Sequence, residues 1–413
     1  MKTISRFALK SILLLSIACS LSLGVHSCKT DNIIADTIAL GPPVETEPAE
    51  TNYEPAFVGQ TRAPGVTSSP GYTATAIISS LQNPWGITGL PDGRLLITEK
   101  GGTLRIATSA GELSPAIIGL PSVDAAGQGG LLGLCIDPDF SANRLIYWVF
   151  SESQAGGSVT AVAKGVLSLD ESKVENVTVI YRATPAFAGS LHYGGRIVFD
   201  RSGFLIVSTG ERSSLVTRPQ AQDVSSSLGK LVRIAKDGSP AVGNPSFGQG
   251  NAKPELYSIG HRNPQGLAIH PTTGDIWQSE HGPRGGDELN HITAGANYGW
   301  PTITYGIEYS GQSIGDAIQQ KDGMEQPVYY WDPVVSPSGM TFYSHNHLPQ
   351  WRNNLFIASL SGQHIIRLVI RDNKVVGEER LLAGENQRFR DVAQGKDGAL
   401  YAITDQGRLY RIY

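Results

Sequence analysis

Near the middle of the chain one run concentrates polar chemistry: His281-Gly282-Pro283-Arg284-Gly285-Gly286-Asp287-Glu288, followed by Asn297-Tyr298-Gly299-Trp300-Pro301. Carboxylates, kinked backbone and aromatic rings share one short stretch. The Gly282, Pro283 and Tyr298 carbonyls and the Asp287 and Glu288 carboxylates form a donor set suited to a hard, oxygen-bound cation such as calcium. The competing reading is a turn whose carboxylates cap or pair, and so short a motif does not decide between them.

Four other motifs are scattered along the chain. His192 lies in Ser190-Leu191-His192-Tyr193-Gly194-Gly195-Arg196, where the glycines permit a tight turn and close ligand approach. A neutral histidine there can take a proton from a substrate hydroxyl at ordinary pH; alternatively it is a packed side chain bonded to backbone. His261-Arg262-Asn263-Pro264-Gln265-Gly266 and Arg388-Phe389-Arg390-Asp391 contribute guanidinium groups. Residues two apart on a strand share a face, so Arg388 and Arg390 can point together at a carboxylate-bearing ligand. Surface arginines bonded to loop carbonyls are an equal alternative. Gln128-Gly129-Gly130 reads either as an amide contact to a ligand or as a glycine turn.

These residues need a scaffold that gathers distant loops. Of 413 residues, 40% are hydrophobic and 17% charged, so most of the chain should fold, and 48 Gly with 24 Pro favour short strands and many turns. The formal net charge of -4 and the dispersed arginines exclude a basic nucleic-acid footprint. From Leu81 onward a turn signal repeatedly precedes an apolar strand: Asp92-Gly93 before Leu95, Asn143-Arg144 before Leu145, and Ser202-Gly203 before Phe204. The pattern continues with Gly274-Asp275 before Ile276, Asn353-Asn354 before Leu355, and Asp397-Gly398 before Ala399. Six copies at uneven spacing predict an all-β fold, a six-bladed β-propeller over residues 71–413, rather than a sandwich or two smaller β domains. A propeller brings loops from every blade to one end of its channel.

Ahead of it, Lys2, Arg6 and Lys10 precede an apolar stretch from Ser11 to Leu23, which reads as an export signal over residues 1–28. Val25-His26-Ser27-Cys28 resembles a lipobox, making Cys28 the expected lipid-anchor site and the only expected link to a membrane; ordinary signal cleavage nearby is the alternative. The protein is therefore expected in the periplasm or cell envelope. Residues 29–70, rich in Pro, Thr, Glu, Ala and Ser, read as a flexible linker. Cys135 is the one cysteine left in the folded part, which rules out an intramolecular disulfide there and suggests a buried strand thiol.

Taken together, Gly127 to Leu132, His192 to Phe199, Arg262 to Leu267, Glu280 to Glu288, Asn297 to Pro301 and Arg388 to Val392 resemble, in order, the signatures of the soluble quinoprotein sugar dehydrogenases, in particular the aldose sugar dehydrogenase branch. The resemblance runs from about Leu81 to Tyr413 and implies a six-bladed propeller binding pyrroloquinoline quinone (PQQ) and Ca2+. It implies oxidation of an aldose at its anomeric hydroxyl to a lactone, with electrons passed to an external acceptor. His192 would be the general base and Arg262 the stabiliser of developing charge. Gln128, His192, Arg262, Asn263, Arg388 and Arg390 would contact the cofactor. The Gly282 and Pro283 carbonyls would hold the calcium that meets PQQ, and Glu288 and Tyr298 a second, structural calcium. Tyr330 and Trp331 are the nearest candidates for an aromatic platform. The chain departs from the pattern at Ser361, where relatives commonly place a lysine against PQQ, with Gln363 and His364 as the neighbours available to compensate. It departs again at Arg212-Ser213-Ser214, in place of an Asn-rich stretch. A non-catalytic sugar- or protein-binding propeller and a calcium-dependent propeller lactonase are the alternatives carried forward.

Overall fold

The computed structural model describes residues 39–248 and 250–413. The expected export signal, its lipobox and the start of the expected linker lie outside the described residues. Among those described, no helix is long and apolar enough to cross a membrane.

The six repeated turn-strand units are the second strands of six sheets. These strands are Leu95–Glu99, Leu145–Gln154, Leu205–Thr209, Ile276–Glu280, Leu355–Ser359 and Leu400–Thr404. The turn before each places one residue in the left-handed region: Gly93, Arg144, Gly203, Gly274, Asn353 and Gly398. That geometry explains why Gly and Asn recur at this point. Each second strand is covered on both faces, so it reads as a continuous apolar run rather than an alternating one. Leu95 and Ile97 face the last blade and Leu96 faces the second; Trp277 packs toward the fifth blade and Ile276 toward the third. The hydrophobic clusters therefore fall between neighbouring blades.

The innermost strands form a closed ring: Pro84–Gly89, Leu131–Ile136, Ile197–Phe199, Pro264–Ile269, Pro337–Phe342 and Phe389–Gln394, each touching the next and the last touching the first. They open blades one to six. Blade one has three strands, and blade six borrows its outermost strand, Ala74–Ile78, from the start of the propeller, which ties the ring shut. Within the channel, Arg196 of blade three pairs with Asp391 of blade six and lies 4.4 Å over the Trp85 ring of blade one. This buried bridge separates two mouths. One is lined by the entry ends of the inner strands, the other by their exits at Gly89, Phe199, Ile269, Phe342 and Gln394. Cys135 is half-buried on its strand and lines the second mouth; burial raises its thiol far above the usual range.

The expected flexible linker needs correction. Its described part, from residue 39, is docked on blades four and five. Gly41–Pro43 pairs with Pro64–Gly65, and Gly65 pairs in parallel with Glu378. Gln60, Ala63, Val66 and Ser68 are buried. Polar bonds carry much of the docking. Asp332 accepts from the Glu50 and Thr51 amides and the Thr51 hydroxyl at 2.7, 3.0 and 2.7 Å. Gln60 bonds Tyr305 and the Pro327 carbonyl, and Ser68 bonds Glu379 and Trp351. A segment held chiefly by such bonds has no hydrophobic period, so composition alone reads it as a tether.

Candidate active site

A cavity of about 460 Å³ opens at the entry ends of the inner strands. Gln128, Arg388 and Arg390 line it as expected, with Gln265 and His281 from two of the quoted motifs and Trp85, Lys100 and Asp405, which the sequence did not single out; His192, Arg262 and Asn263 do not line it. Arg388 and Arg390 do share a face, with Phe389 turned into the core between them. One carboxylate fixes both: Asp405 accepts from Arg388 Nε at 3.0 Å and from Arg390 Nε at 2.8 Å. Against the upward push of burial, these two arginines hold the Asp405 carboxyl below its ordinary value. Lys100 stands on the same wall, so three cations face one anion around the cavity.

His192 sits just behind Gln128, whose Oε1 accepts from the His192 amide at 2.9 Å. The residue has φ 47, a region non-glycine residues seldom occupy. Three contacts hold it there. Gly210 abuts the His192 carbonyl, where a Cβ would come within 2.2 Å of that oxygen. The Arg212 amide donates to the same carbonyl at 3.3 Å. The buried Arg212 guanidinium lies 3.9 Å over Tyr193 and bonds the Leu191 and Ser158 carbonyls. The departure at Arg212 is thus a clamp on the loop that carries the histidine.

The imidazole Nδ1 meets Glu211 Oε1 at 2.6 Å. A carboxylate at Nδ1 fixes the proton there and leaves Nε2 as the free acceptor, which has no protein partner among the described residues. Burial, then the Arg262 charge, lowers the His192 pKa to about 4, with Glu211 pulling the other way. The ring is therefore neutral at ordinary pH and able to accept a proton. Glu211 is the positioning residue that sequence reading passed over; its only sign was an acidic residue at the end of an inner-blade strand.

Arg262 fronts a second, small cavity of about 10 Å³, separated from the large one by His281, which lines both. Its Nη1 donates to the His281 and Gly282 carbonyls at 3.0 and 2.6 Å, and its guanidinium lies 5.2 Å from the Trp300 centroid. Asn263 is buried, with Oδ1 accepting from the Gly194 amide at 3.1 Å; its Nδ2, Arg262 Nε and His281 Nε2 are buried and have no hydrogen-bond partner among the described residues.

The small cavity brings Glu288 beside Glu280, its cross-strand partner in the same sheet. Burial and then the Glu280 charge push the Glu288 pKa well above its ordinary value. Asn290 bridges the pair, its Nδ2 donating to Glu280 Oε1 at 3.3 Å and to Glu288 Oε2 at 3.2 Å. The two adjacent carboxylates are the part of this cavity that suits a hard cation; among the described residues no group of three or more His, Cys, Asp or Glu is placed to hold a metal. The other members of the expected donor set have these surroundings. Asp287 accepts from the Gly282, Val335 and Ser336 amides at 2.7, 2.8 and 2.6 Å, so its carboxylate shapes the loop. The Gly282 carbonyl already accepts from Arg262, and the Pro283 ring packs on Gly306. Tyr298 stacks on His261 at 4.9 Å, and His261 Nδ1 reaches Glu280 at 3.0 Å, so Tyr298 joins the acidic pair through a neighbour.

Over residues 81–411 the sequence matches the profile of the Glucose / Sorbosone dehydrogenase family. The chain belongs to this family. The aldose sugar dehydrogenase YliI of Escherichia coli is 42% identical over 337 residues, covering 80% of this chain and 90% of that protein. A crystal structure of glucose dehydrogenase is 46% identical with a TM-score of 0.79, covering 82% of this chain and 99% of that one. The PQQ-bound form of aldose sugar dehydrogenase from Streptomyces coelicolor is 27% identical with a TM-score of 0.69, covering 83% and 98%.

Within this Glucose / Sorbosone dehydrogenase chain, two expectations about the cavity do not hold. Tyr330 and Trp331 form no platform: they lie on the outermost strand of blade four, Tyr330 stacked on Tyr305 at 4.1 Å and Trp331 in the core. Trp85 and Tyr309 are the aromatic side chains on the cavity wall. His364 supplies no cation near Ser361, because burial lowers its pKa to about 4 and its Nδ1 is bonded to the Gly362 carbonyl.

Proposed function

We propose that this protein oxidises aldose sugars at the anomeric hydroxyl to lactones, with PQQ and calcium as cofactors and an external electron acceptor. The observation that carries the reading is the joining of two features. A cationic cavity is lined by Gln128, and the same Gln128 side chain holds the backbone of a buried, neutral histidine oriented by a carboxylate, so that His192 stands one residue behind the cavity wall. When bound, PQQ supplies the hydride acceptor and calcium polarises its reactive carbonyl.

The protein's own residues do the rest. Arg388 and Arg390, fixed by Asp405, meet anionic groups with pre-set donors, and Gln128 offers its amide while holding the His192 backbone. His192 Nε2 takes the proton of the anomeric hydroxyl as the C1 hydride departs, and Glu211 stabilises the imidazolium that forms. Arg262, whose charge already acts on the His192 ring, would stabilise charge developing on oxygen beside that base. Glu288, set beside Glu280 across the strand pair, would hold the structural cation.

The test adds PQQ and calcium to cofactor-free protein and follows dye reduction with several aldoses. Turnover is expected only with both additions. In the same preparation, chelation should lower Tm and calcium restore it, because the cation separates two buried carboxylates. Turnover without PQQ rejects the proposal, and a Tm indifferent to chelation shows that Glu288 is merely protonated.

We further infer export with lipid attachment at Cys28, supported by the basic start, the apolar run and the small residue before the cysteine. Cys28→Ser is expected to move the protein from the membrane to the soluble fraction; unchanged membrane association would count against the anchor.

A further inference from the structure

Among the charged groups of the cavity, Lys100 differs from the arginines in that no carboxylate among the described residues is bonded to it. Lys100 follows the second strand of blade one and lines the same cavity as the blade-five residues Ser336 and Leu360. Among the described residues, its ammonium has one hydrogen-bond acceptor, the Gly127 carbonyl at 2.5 Å. An ammonium has three donors, so two remain for a ligand. Burial and then the neighbouring Arg390 charge lower the Lys100 pKa, with Asp405 pulling the other way, and an anion bound at the ammonium would favour the cation further.

The local backbone is built around this side chain. Gly130 has φ 131, and a Cβ there would come within 2.4 Å of the Lys100 carbonyl and 2.5 Å of its Cγ. The Leu131 amide donates to the same carbonyl at 2.9 Å. The second glycine of Gln128-Gly129-Gly130 thus lets the lysine lie across the loop that presents Gln128. On blade five, Ser361 is bonded to Ser336 at 2.8 Å, and neither serine carries charge. His364 is neutral and tied to Gly362. The cavity therefore has cations on blades one and six and none on blade five.

We infer that Lys100 supplies the cationic contact to a carboxylate of the bound cofactor that Ser361 cannot make. The inference rests on the reading above that PQQ is the ligand. It deepens that reading by moving one charge–charge contact from blade five to blade one.

The test measures PQQ affinity by absorbance or fluorescence titration of cofactor-free protein, without turnover. Lys100→Gln is expected to weaken PQQ binding by about tenfold or more, the effect of losing one charged hydrogen bond. Lys100→Arg should stay within about threefold of wild type, and Lys100→Gln combined with Ser361→Lys should recover most of the loss. The salt dependence of binding should also flatten in Lys100→Gln, which a purely structural role would not produce. Binding of Lys100→Gln within about threefold of wild type overturns the inference, as does equal loss in Lys100→Arg. Failure of the wild-type protein to bind PQQ would instead reject the cofactor reading itself.

Discussion

Replacing His192 with Ala should lower kcat by about 10²–10⁴-fold, the usual contribution of a positioned general base, while leaving PQQ affinity nearly unchanged. The two effects separate because the side chain and the backbone of His192 do different things. The backbone amide holds Gln128 on the cavity wall, and Ala keeps that amide. The imidazole faces Glu211 with one nitrogen and leaves the other free. His192→Gln is the companion variant: it keeps a donor for the buried Glu211 but has no basic nitrogen. Both variants retaining turnover within about tenfold of wild type would rule out the base.

The pH profile makes a sharper test of the same residue. Burial and Arg262 set the His192 pKa at about 4. The active form is the neutral ring, so the acid limb of kcat/KM should fall near pH 4 rather than near the ordinary histidine value. Glu211 pulls that pKa upward. Glu211→Gln therefore moves the limb to lower pH and weakens the base, so that turnover falls even where the ring is fully neutral. A merely structural Glu211 would lower stability without moving the limb.

The second large effect concerns the docked segment. Protein beginning near residue 70 should lose on the order of 5 kcal/mol of stability, from several buried groups left without partners. For a domain of this size that corresponds to a Tm lower by roughly 6 °C. Asp332 loses three donors, Glu379 loses the Ser68 amide and hydroxyl, and the Tyr329 hydroxyl loses the Ala63 amide at 2.9 Å. Val66 leaves an apolar gap beside Gly377. The consequences extend toward the cation loop, because Arg284 pairs with Glu50, and Tyr330, stacked on Tyr305, donates its amide to the Gln60 carbonyl. Calcium affinity should therefore fall together with Tm. Thermal unfolding of the truncated and full-length proteins checks the prediction, and equal midpoints would mean that the segment rests on the surface without stabilising it.

Much of the scaffold was written locally. Each second strand is buried on both faces, and each follows a turn that needs a left-handed residue. Both requirements act on neighbouring residues, so they leave a repeat that can be counted: six turn-strand units, six blades. The pairing of Arg388 with Arg390 was equally legible, since strand geometry fixes which side chains share a face. Tertiary structure decided what depends on residues distant in sequence. Glu211 matters because it meets His192, Asp405 because it meets two arginines, and Lys100 because channel closure brings blade one to blade six. Tyr330 and Trp331 looked available beside the site, but blade four turns its last strand outward and buries them. The segment from residue 39 onward looked free because its polar groups find partners about 300 residues away, at Asp332 and Glu379. Local periodicity reports backbone geometry and burial; it carries no record of a partner that only the closing of the ring brings within reach.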